Sequence, residues 1–411
     1  ATVVTTTGTQ TLTNKSIATT QLSGTVATSN LGTGTADSTT FLRGDQTYAS
    51  ATPAADSITT SQLAYNPNPF RNIIINGDMS IAQRGTSSTN VSTGYHTVDR
   101  FQLTRGAGGL NVSQETDAPT GQGFAKSFKV IDTSGSSPGA NDTNIFLQRI
   151  EGQNLQYLKK GTSSAESLTL SFWIKAKVTG TYIVELYDSD NTRQISKTYT
   201  VSSSETWEKK TITFAGDTTG TLDNDNAVSL ALQFWFTAGS NFTSGTLNTS
   251  WNSVTNANRA VGLTNALASA NDYVQITGVQ LEAGTSASDF EFLPHDVNEE
   301  RCKRYYQLIA SGVSDRSIAT GVYYTSSRVF GNIFLTKIMR VRPSLDLVSG
   351  TNYYVTYSNS SADQINDFAL DNSASDLIIS IKNQSSSGTQ GYAGMIRTNN
   401  SSAFLGVDAE L

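Results

Sequence analysis

Three strand-like stretches carry side chains that could grip a polyhydroxylated ring. In LTLSFWIKA, apolar Leu168, Leu170, Phe172 and Ile174 recur at every second position, so Trp173 and Lys175 face the other way. In TYIVELY, Tyr182, Val184 and Leu186 form the apolar set and leave Glu185 and Tyr187 opposite. In VSLALQFWF, Leu230, Leu232, Phe234 and Phe236 do the same and leave Gln233 and Trp235. Aromatic planes beside Lys, Glu and Gln match the apolar faces and hydroxyl rim of a sugar. The expectation is that these six outward residues share one non-core sheet face. The same face could instead pack against a second subunit or an adjacent domain, as exposed aromatic patches in oligomers do.

Two polar stretches offer further candidates. Phe242 and Trp251 lie in GSNFTSGTLNTSWNSVTNANRA, and Tyr357 and Phe368 in TYSNSSADQINDFALDNSASD. Loops on a rigid scaffold often carry recognition. An aromatic anchoring its own loop is the competing reading at each position.

Catalytic chemistry is not expected. Asp188 and Asp190 in DSDNT, and Asp223 and Asp225 in DNDN, follow or separate strands and read as turn residues. Cys302 is the single cysteine, which removes internal disulfides and thiolate metal sites, and it reads as a buried small hydrophobe. His96 and His295 are the two histidines, at a strand edge and in a linker. No catalytic residue, metal or cofactor is expected.

Strands must position all of this. Residues 71–298 alternate with period two through SLTLSFWIKAKV, GTYIVELY, KTYTV, TWEKKTITF, VSLALQFWF and DYVQITGVQLE. Thr179-Gly180 reads as a hairpin turn between the first two. Many strands without intervening helices predict a β-sandwich, of the jelly-roll kind. Residues 299–411 open with a short helix over NEERCKRYYQLIA, with Cys302, Tyr305, Tyr306 and Ile309 near one stripe, and continue as a second β domain.

Residues 1–70 are a different material, dominated by Ser, Thr, Gly and Ala, with Lys15 and Arg43 as their only basic residues. Such a segment cannot bury enough apolar surface alone to offset its conformational entropy. SIATTQL (Ser16–Leu22) returns as SITTSQL (Ser57–Leu63), which fits a fibrous element whose core forms between chains. A flexible linker is the alternative. The 411 residues carry a net charge of -6, with 15% charged residues against about 25% in an ordinary soluble domain. An acidic balance without basic clusters argues against nucleic acid, and no apolar run approaches a membrane span. The chain opens Ala-Thr-Val without Met, as expected of a fragment or a processed product.

Several phrases carry a resemblance. TLTNKSI and LSGTVATSNLGTGTADSTTFLRGDQTYA resemble connector segments of bacteriophage tail fibres, where a FLRGDGTWA-like phrase recurs; Gln46 and Tyr48 replace its Gly and Trp. RNIIINGDMSIAQRG followed by VDRFQL resembles the entry to a carbohydrate-binding jelly roll, and ITGVQLEAGTSASDFEFLPHDVNEERCKRYYQ its exit. MRVRPSL and LGVDAEL resemble the same fibres' C-terminal domain. The resemblance implies an all-β homotrimer in the virion's tail fibre: an intertwined fibrous segment (1–70), a jelly roll (71–298), then a linking helix and a C-terminal β-sandwich tip (299–411). Its partners would be other tail proteins at the N-terminal end and host surface polysaccharide, with no nucleic acid and no membrane insertion. The tip would meet a host first and is the leading candidate for recognition. A polysaccharide depolymerase and a purely structural spacer are the alternatives. Jelly rolls of this kind often hold a structural calcium; here Asp78 remains, but Met79, Ser80, Thr277 and Gly278 occupy the other expected positions, too few oxygen ligands for that ion. Arg43-Gly44-Asp45 then reads as part of a fibre joint rather than an adhesion motif, with Phe41 and Leu42 as inter-chain core and Arg43 and Asp45 pairing between chains.

Overall fold

The computed structural model describes residues 33, 40–42, 47–50, 70–312, 315–350, 352–383 and 385–411. The chain divides into two compact units, Ala1–Asn66 and Pro67–Leu411. In the first, β1 (Thr40–Leu42) pairs antiparallel with β2 (Tyr48–Ser50), and Phe41 and Leu42 are exposed on the single chain. Arg43-Gly44-Asp45 and the SIATTQL and SITTSQL echoes lie outside the described residues.

The second unit begins with a sandwich of two six-stranded antiparallel sheets. Sheet I runs β13 (Asn252–Ser253), β10 (Arg193–Val201), β9 (Gly180–Asp188), β12 (Val228–Ala238), β7 (Thr143–Glu151), β4 (Gln102–Arg105). Sheet II runs β11 (Glu208–Phe214), β8 (Leu168–Ala176), β14 (Tyr273–Ala283), β6 (Ser127–Asp132), β5 (Leu110–Glu115), β3 (Ser87–Ser88). The chain crosses repeatedly between sheets, as a jelly roll does. The three alternating apolar sets all face inward and are buried. Aromatic rings tie the sheets together: Phe128 stacks on Phe146 at 4.2 Å, and Phe172 meets Phe234 edge-on at 5.0 Å. Burying each such ring stabilises the sandwich by about 1.5–3 kcal/mol.

One turn assignment fails. Thr179-Gly180 makes no hairpin: β8 pairs with β11 and β14 in sheet II, whereas β9 pairs with β10 and β12 in sheet I. Gly180 instead lets the chain pass close to a neighbour, since at φ 147° a Cβ would sit 2.4 Å from Thr264 Oγ1.

Helix α2 (His295–Lys303) follows. It starts earlier and ends sooner than the sequence pattern places it. Tyr306 and Ile309, assigned to its stripe, belong to strand β15 (Tyr306–Ser311) because Phe404–Asp408 (β24) offers that β-prone segment a pairing partner. Cys302 is buried with Ile75, Ile81 and Tyr305, and burial pushes its thiol well above the usual range. The terminal sandwich packs a three-stranded sheet, β15, β24 and β18 (Ser344–Leu347), on a seven-stranded one. The latter runs β20 (Ser361–Ile365), β19 (Tyr354–Ser358), β23 (Ala393–Thr398), β16 (Ser317–Thr325), β17 (Arg328–Phe334), β22 (Ile378–Asn383), β21 (Ala369–Leu370). Leu405 and Val407 of the small sheet join Tyr323, Ile381 and Ile396 of the large one in a single core.

Buried ions join the two sandwiches within this unit. Arg100, 1% exposed, pairs with Glu410 and lies 3.4 Å from the Tyr305 ring centre. Arg304 grips Glu151 with two hydrogen bonds of 2.8 and 2.7 Å. No helix among the described residues is long and apolar enough to cross a membrane.

Candidate functional site

The six strand residues do not share one face. Trp173 and Lys175 lie on the outer side of sheet II, while Glu185, Tyr187, Gln233 and Trp235 lie on the outer side of sheet I, across the sandwich. The cause is the missing hairpin: alternation fixes which side of its own sheet a residue takes, but not which sheet its strand joins.

The outer side of sheet I is also closed. The segment after β12 folds back over it, starting with a single helical turn, α1 (Ser240–Thr243). Phe242 packs on Trp235 with ring centres 5.6 Å apart, and Ile145, Leu147, Ile183 and Ala260 complete an apolar cluster. Trp235 is 0% exposed. Its indole N–H donates to Glu185 Oε2 at 3.0 Å, and Arg259 donates to both oxygens of the same carboxylate at 3.0 and 2.9 Å. Gln233 Oε1 accepts from Arg259 at 3.3 Å, and that guanidinium lies 5.1 Å from the Tyr187 ring centre. Burial pushes the Glu185 carboxyl up, against the pull of Arg259 and Trp235. Trp235, Glu185 and Gln233 are buried in this hydrogen-bonded knot and Tyr187 is half-buried, which corrects the expectation of an exposed platform.

Trp251 anchors the same segment. Its indole donates to the Ala215 carbonyl at 2.7 Å, and the Lys160 ammonium lies 4.7 Å from its ring centre. Lys160 also bridges Asp188 and Asp217, and Arg193 donates to Asp217 at 2.7 and 2.9 Å. The DSDNT aspartate therefore does more than shape a turn: it closes a buried ion network.

The outer face of sheet II is covered in part: Thr169, Gln275 and Thr277 are buried, and the Thr169 hydroxyl donates to the Gly284 carbonyl at 2.8 Å. Trp173 is half-buried there, opposite Lys209 on β11 and Thr277 on β14. Lys175 pairs with Asp117 at 2.7 Å, and Trp207, which the alternation does not single out, donates to the same carboxylate at 3.1 Å. Thr277 also bears on the calcium position. Its hydroxyl lies 2.7 Å from the Lys126 carbonyl and 3.3 Å from that of Asp78, and the Asn298 amide donates to the Asp78 carboxylate at 3.1 Å. Uncharged donors occupy the acceptors there.

At the tip, Phe368 is buried against Tyr354 in the core, and Tyr357 is half-buried beneath the Arg397 guanidinium at 4.1 Å. Neither projects as a reading residue. Their stretch nevertheless builds a pocket of about 190 Å³ lined by Tyr323, Ser358, Asn359, Ser361, Asp363, Ser387, Gly388, Thr389 and Tyr392. Asn359 and Ser360, at φ 48° and 61°, close the tight hairpin between β19 and β20 that forms one wall. Asp363 Oδ2 accepts from the Tyr323 hydroxyl at 2.9 Å and the Ser387 N–H at 2.8 Å. Gly388 is needed for closeness, since a Cβ would sit 2.1 Å from the Tyr323 ring. Tyr392 is 46% exposed at the mouth. Hydroxyls, one amide and one carboxylate around an available ring suit a neutral polyol. Tyr392 opens the strand-like YAGMIRT and Ser387 lies in the loop before it, and the fold brings both to the hairpin.

A larger cleft of about 680 Å³ lies where α2 meets the end of β7, reaching from Phe70 and Asn72 to Tyr157, Arg301 and Lys337. Tyr157 is 51% exposed at its edge. Burial pulls the Arg301 guanidinium below its usual range.

No family model matches the chain and no curated protein matches it. Among solved structures, it is similar to the enzymatically active domain of tailspike protein 4 of bacteriophage CBA120, at 14% identity and TM-score 0.29, over 53% of this chain and 22% of that one. The family 11 carbohydrate-binding module of the cellulosomal cellulase Lic26A-Cel5E of Clostridium thermocellum gives 13% and 0.26, over 49% and 97%. TmCBM61 in complex with β-1,4-galactotriose gives 10% and 0.23, over 52% and 99%. At such distances the sandwich is established by its own strand pairing, and the ligands of these proteins stay theirs.

Proposed function

We propose that the chain is the receptor-binding part of a homotrimeric bacteriophage tail fibre, and that it holds host-surface glycan without cleaving it. The observation that carries the binding is the tip pocket, where Tyr392 offers an open aromatic face beside Asn359, Asp363, Ser387 and Thr389. The fibre assignment rests on the ordered phrases from TLTNKSI to LGVDAEL. Holding rather than cleaving is favoured because the pocket lining has one carboxylate, Asp363, already bonded to Tyr323 and Ser387, whereas glycoside hydrolysis needs two. Weak sites multiplied across three copies suit a particle that scans a surface before committing.

The test is retention of surface polysaccharide from candidate hosts on the immobilised chain. Saturable retention is expected, lost in Tyr392→Ala, with the recovered polysaccharide unchanged in length. Retention that survives Tyr392→Ala removes the pocket from the reading, and shortened polysaccharide makes the chain an enzyme. Absence of any retention would favour a structural spacer.

A further inference from the structure

We infer that the cleft between α2 and the end of β7 is a second saccharide site, selective for a sugar bearing a carboxylate, with Arg301 as the anion's partner. Five basic side chains line it (Arg100, Arg149, Arg301, Arg304, Lys337) against two acidic ones, Asp296 and Glu300. Most of these cations are already committed. Arg100 is spent on Glu410, and Arg304 on Glu151 at 2.7 Å. Arg149 donates to Gln102 at 2.7 Å and to the Leu411 carbonyl at 2.9 Å. Lys337 lies 3.9 Å from Glu300, which Lys303 also holds at 3.2 Å.

Arg301 differs. Its polar contact is a 3.4 Å approach to the Asn72 carbonyl, and no carboxylate among the described residues lies within ion-pairing distance. The Arg301 N–H groups without a protein partner are not sealed from solvent, so they are free to donate to a ligand that enters the cleft. The surroundings name the complement. One uncommitted guanidinium matches one negative charge and presents two parallel N–H groups to a planar carboxylate. A phosphate monoester, nearer two charges, would need a second free cation. The exposed Tyr157 ring at the rim can stack on the apolar face of a sugar, and the Gln153 and Asn154 side chains lie where hydroxyls would follow. A uronic acid residue within an oligosaccharide has all three features. The tip pocket has no basic residue in its lining, so the two sites would read different sugars.

The experiment is calorimetric titration of the full chain with a galacturonate trisaccharide, its methyl ester and glucose 6-phosphate. The acid is expected to bind, and the ester, which keeps the rings but loses the charge, about tenfold more weakly or worse. Arg301→Gln should lower affinity for the acid by a similar factor while leaving the ester unchanged. Equal binding of acid and ester, preference for glucose 6-phosphate, or no binding of the acid would each overturn the proposal. If Arg301→Gln does not fold, the acid–ester comparison on the unaltered chain decides alone. Tyr392→Ala should leave this binding intact, so failure here and failure of the tip reading are separable.

Discussion

The outer faces of the two jelly-roll sheets begin from the same sequence pattern and end differently. On each, a tryptophan and a charged residue alternate with core positions, Trp173 and Lys175 on sheet II, Trp235 and Glu185 on sheet I. Sheet I is followed by a long segment that folds back and delivers Phe242 and Arg259 onto its face; Trp235 and Glu185 become 0% exposed. Sheet II is covered beside Trp173, where Thr277 and Gln275 are buried, but Trp173 itself stays half-buried and Lys175 is tied to a partly exposed Asp117. Whether an aromatic-polar row recognises a ligand or supports the fold is decided by what the chain does afterwards, not by the row.

The strongest way to break this contrast is to remove Arg259. Arg259→Ala leaves the Glu185 carboxylate buried without its cation, so a stability loss of about 3–5 kcal/mol is expected in urea unfolding. Glu185→Gln combined with Arg259→Met should lose clearly less than Arg259→Ala alone, because no charge remains buried and Trp235 keeps an acceptor. Equal losses would mean that the knot is packing rather than paired charge. At the open tip the expectation reverses. Tyr392→Ala should change unfolding by less than about 0.5–1 kcal/mol while costing more than about 1 kcal/mol in glycan affinity, read from the retention isotherm.

Both faces show where legibility in the sequence ends. Period two identified the buried sides of β8, β9 and β12 correctly, because the alternation is a local property of an extended chain. It could not assign strands to sheets, since Thr179-Gly180 has hairpin composition but Gly180 serves a close pass against Thr264. Nor could it foresee that Arg259, 74 residues from Glu185, would neutralise it. In the terminal domain Phe368 belongs to the core and Tyr357 lies beneath Arg397, while Tyr392 sits at the start of the strand-like YAGMIRT, a pattern that places a strand and not a pocket. Arg301 carries no sequence signal at all, because being uncommitted is a property of its neighbours.

Protonation separates buried carboxyls by their partners next: Glu151 and Asp217, held by Arg304 and Arg193, go down against their burial. Burial raises Glu185, and it raises Asp99, beneath Arg84 and Gln83, to about 6. The partly exposed Asp117 goes down: some burial opposes it, but hydrogen bonds from Lys175 and Trp207 outweigh that. A carboxyl whose folded pKa is raised contributes stability that is present below its unfolded value and is lost as pH rises through the folded one. Asp99 should therefore make the chain less stable as pH climbs from about 4 to about 6. Asp117 works the other way, losing its contribution only as pH falls below the ordinary carboxylate range. Melting temperature against pH should show this decline in the native chain and a flatter profile in Asp99→Asn; an unchanged slope would show that Asp99 is not the group responsible.

The most direct comparison is between the two tryptophans. Trp173→Ala removes a half-buried indole and should cost about 1 kcal/mol. Trp235→Ala removes a fully buried indole and one of the two donors to Glu185 Oε2, and should cost about 3–5 kcal/mol. Urea unfolding of the two variants side by side reads the difference without any ligand. If Trp173→Ala proves as costly as Trp235→Ala, the outer face of sheet II is covered in solution, and a neighbouring subunit is the natural cover for a chain proposed to be trimeric. If it stays near 1 kcal/mol, the face is free, and any accompanying loss of polysaccharide retention assigns Trp173 a binding role that Trp235, sealed beneath Phe242, cannot share.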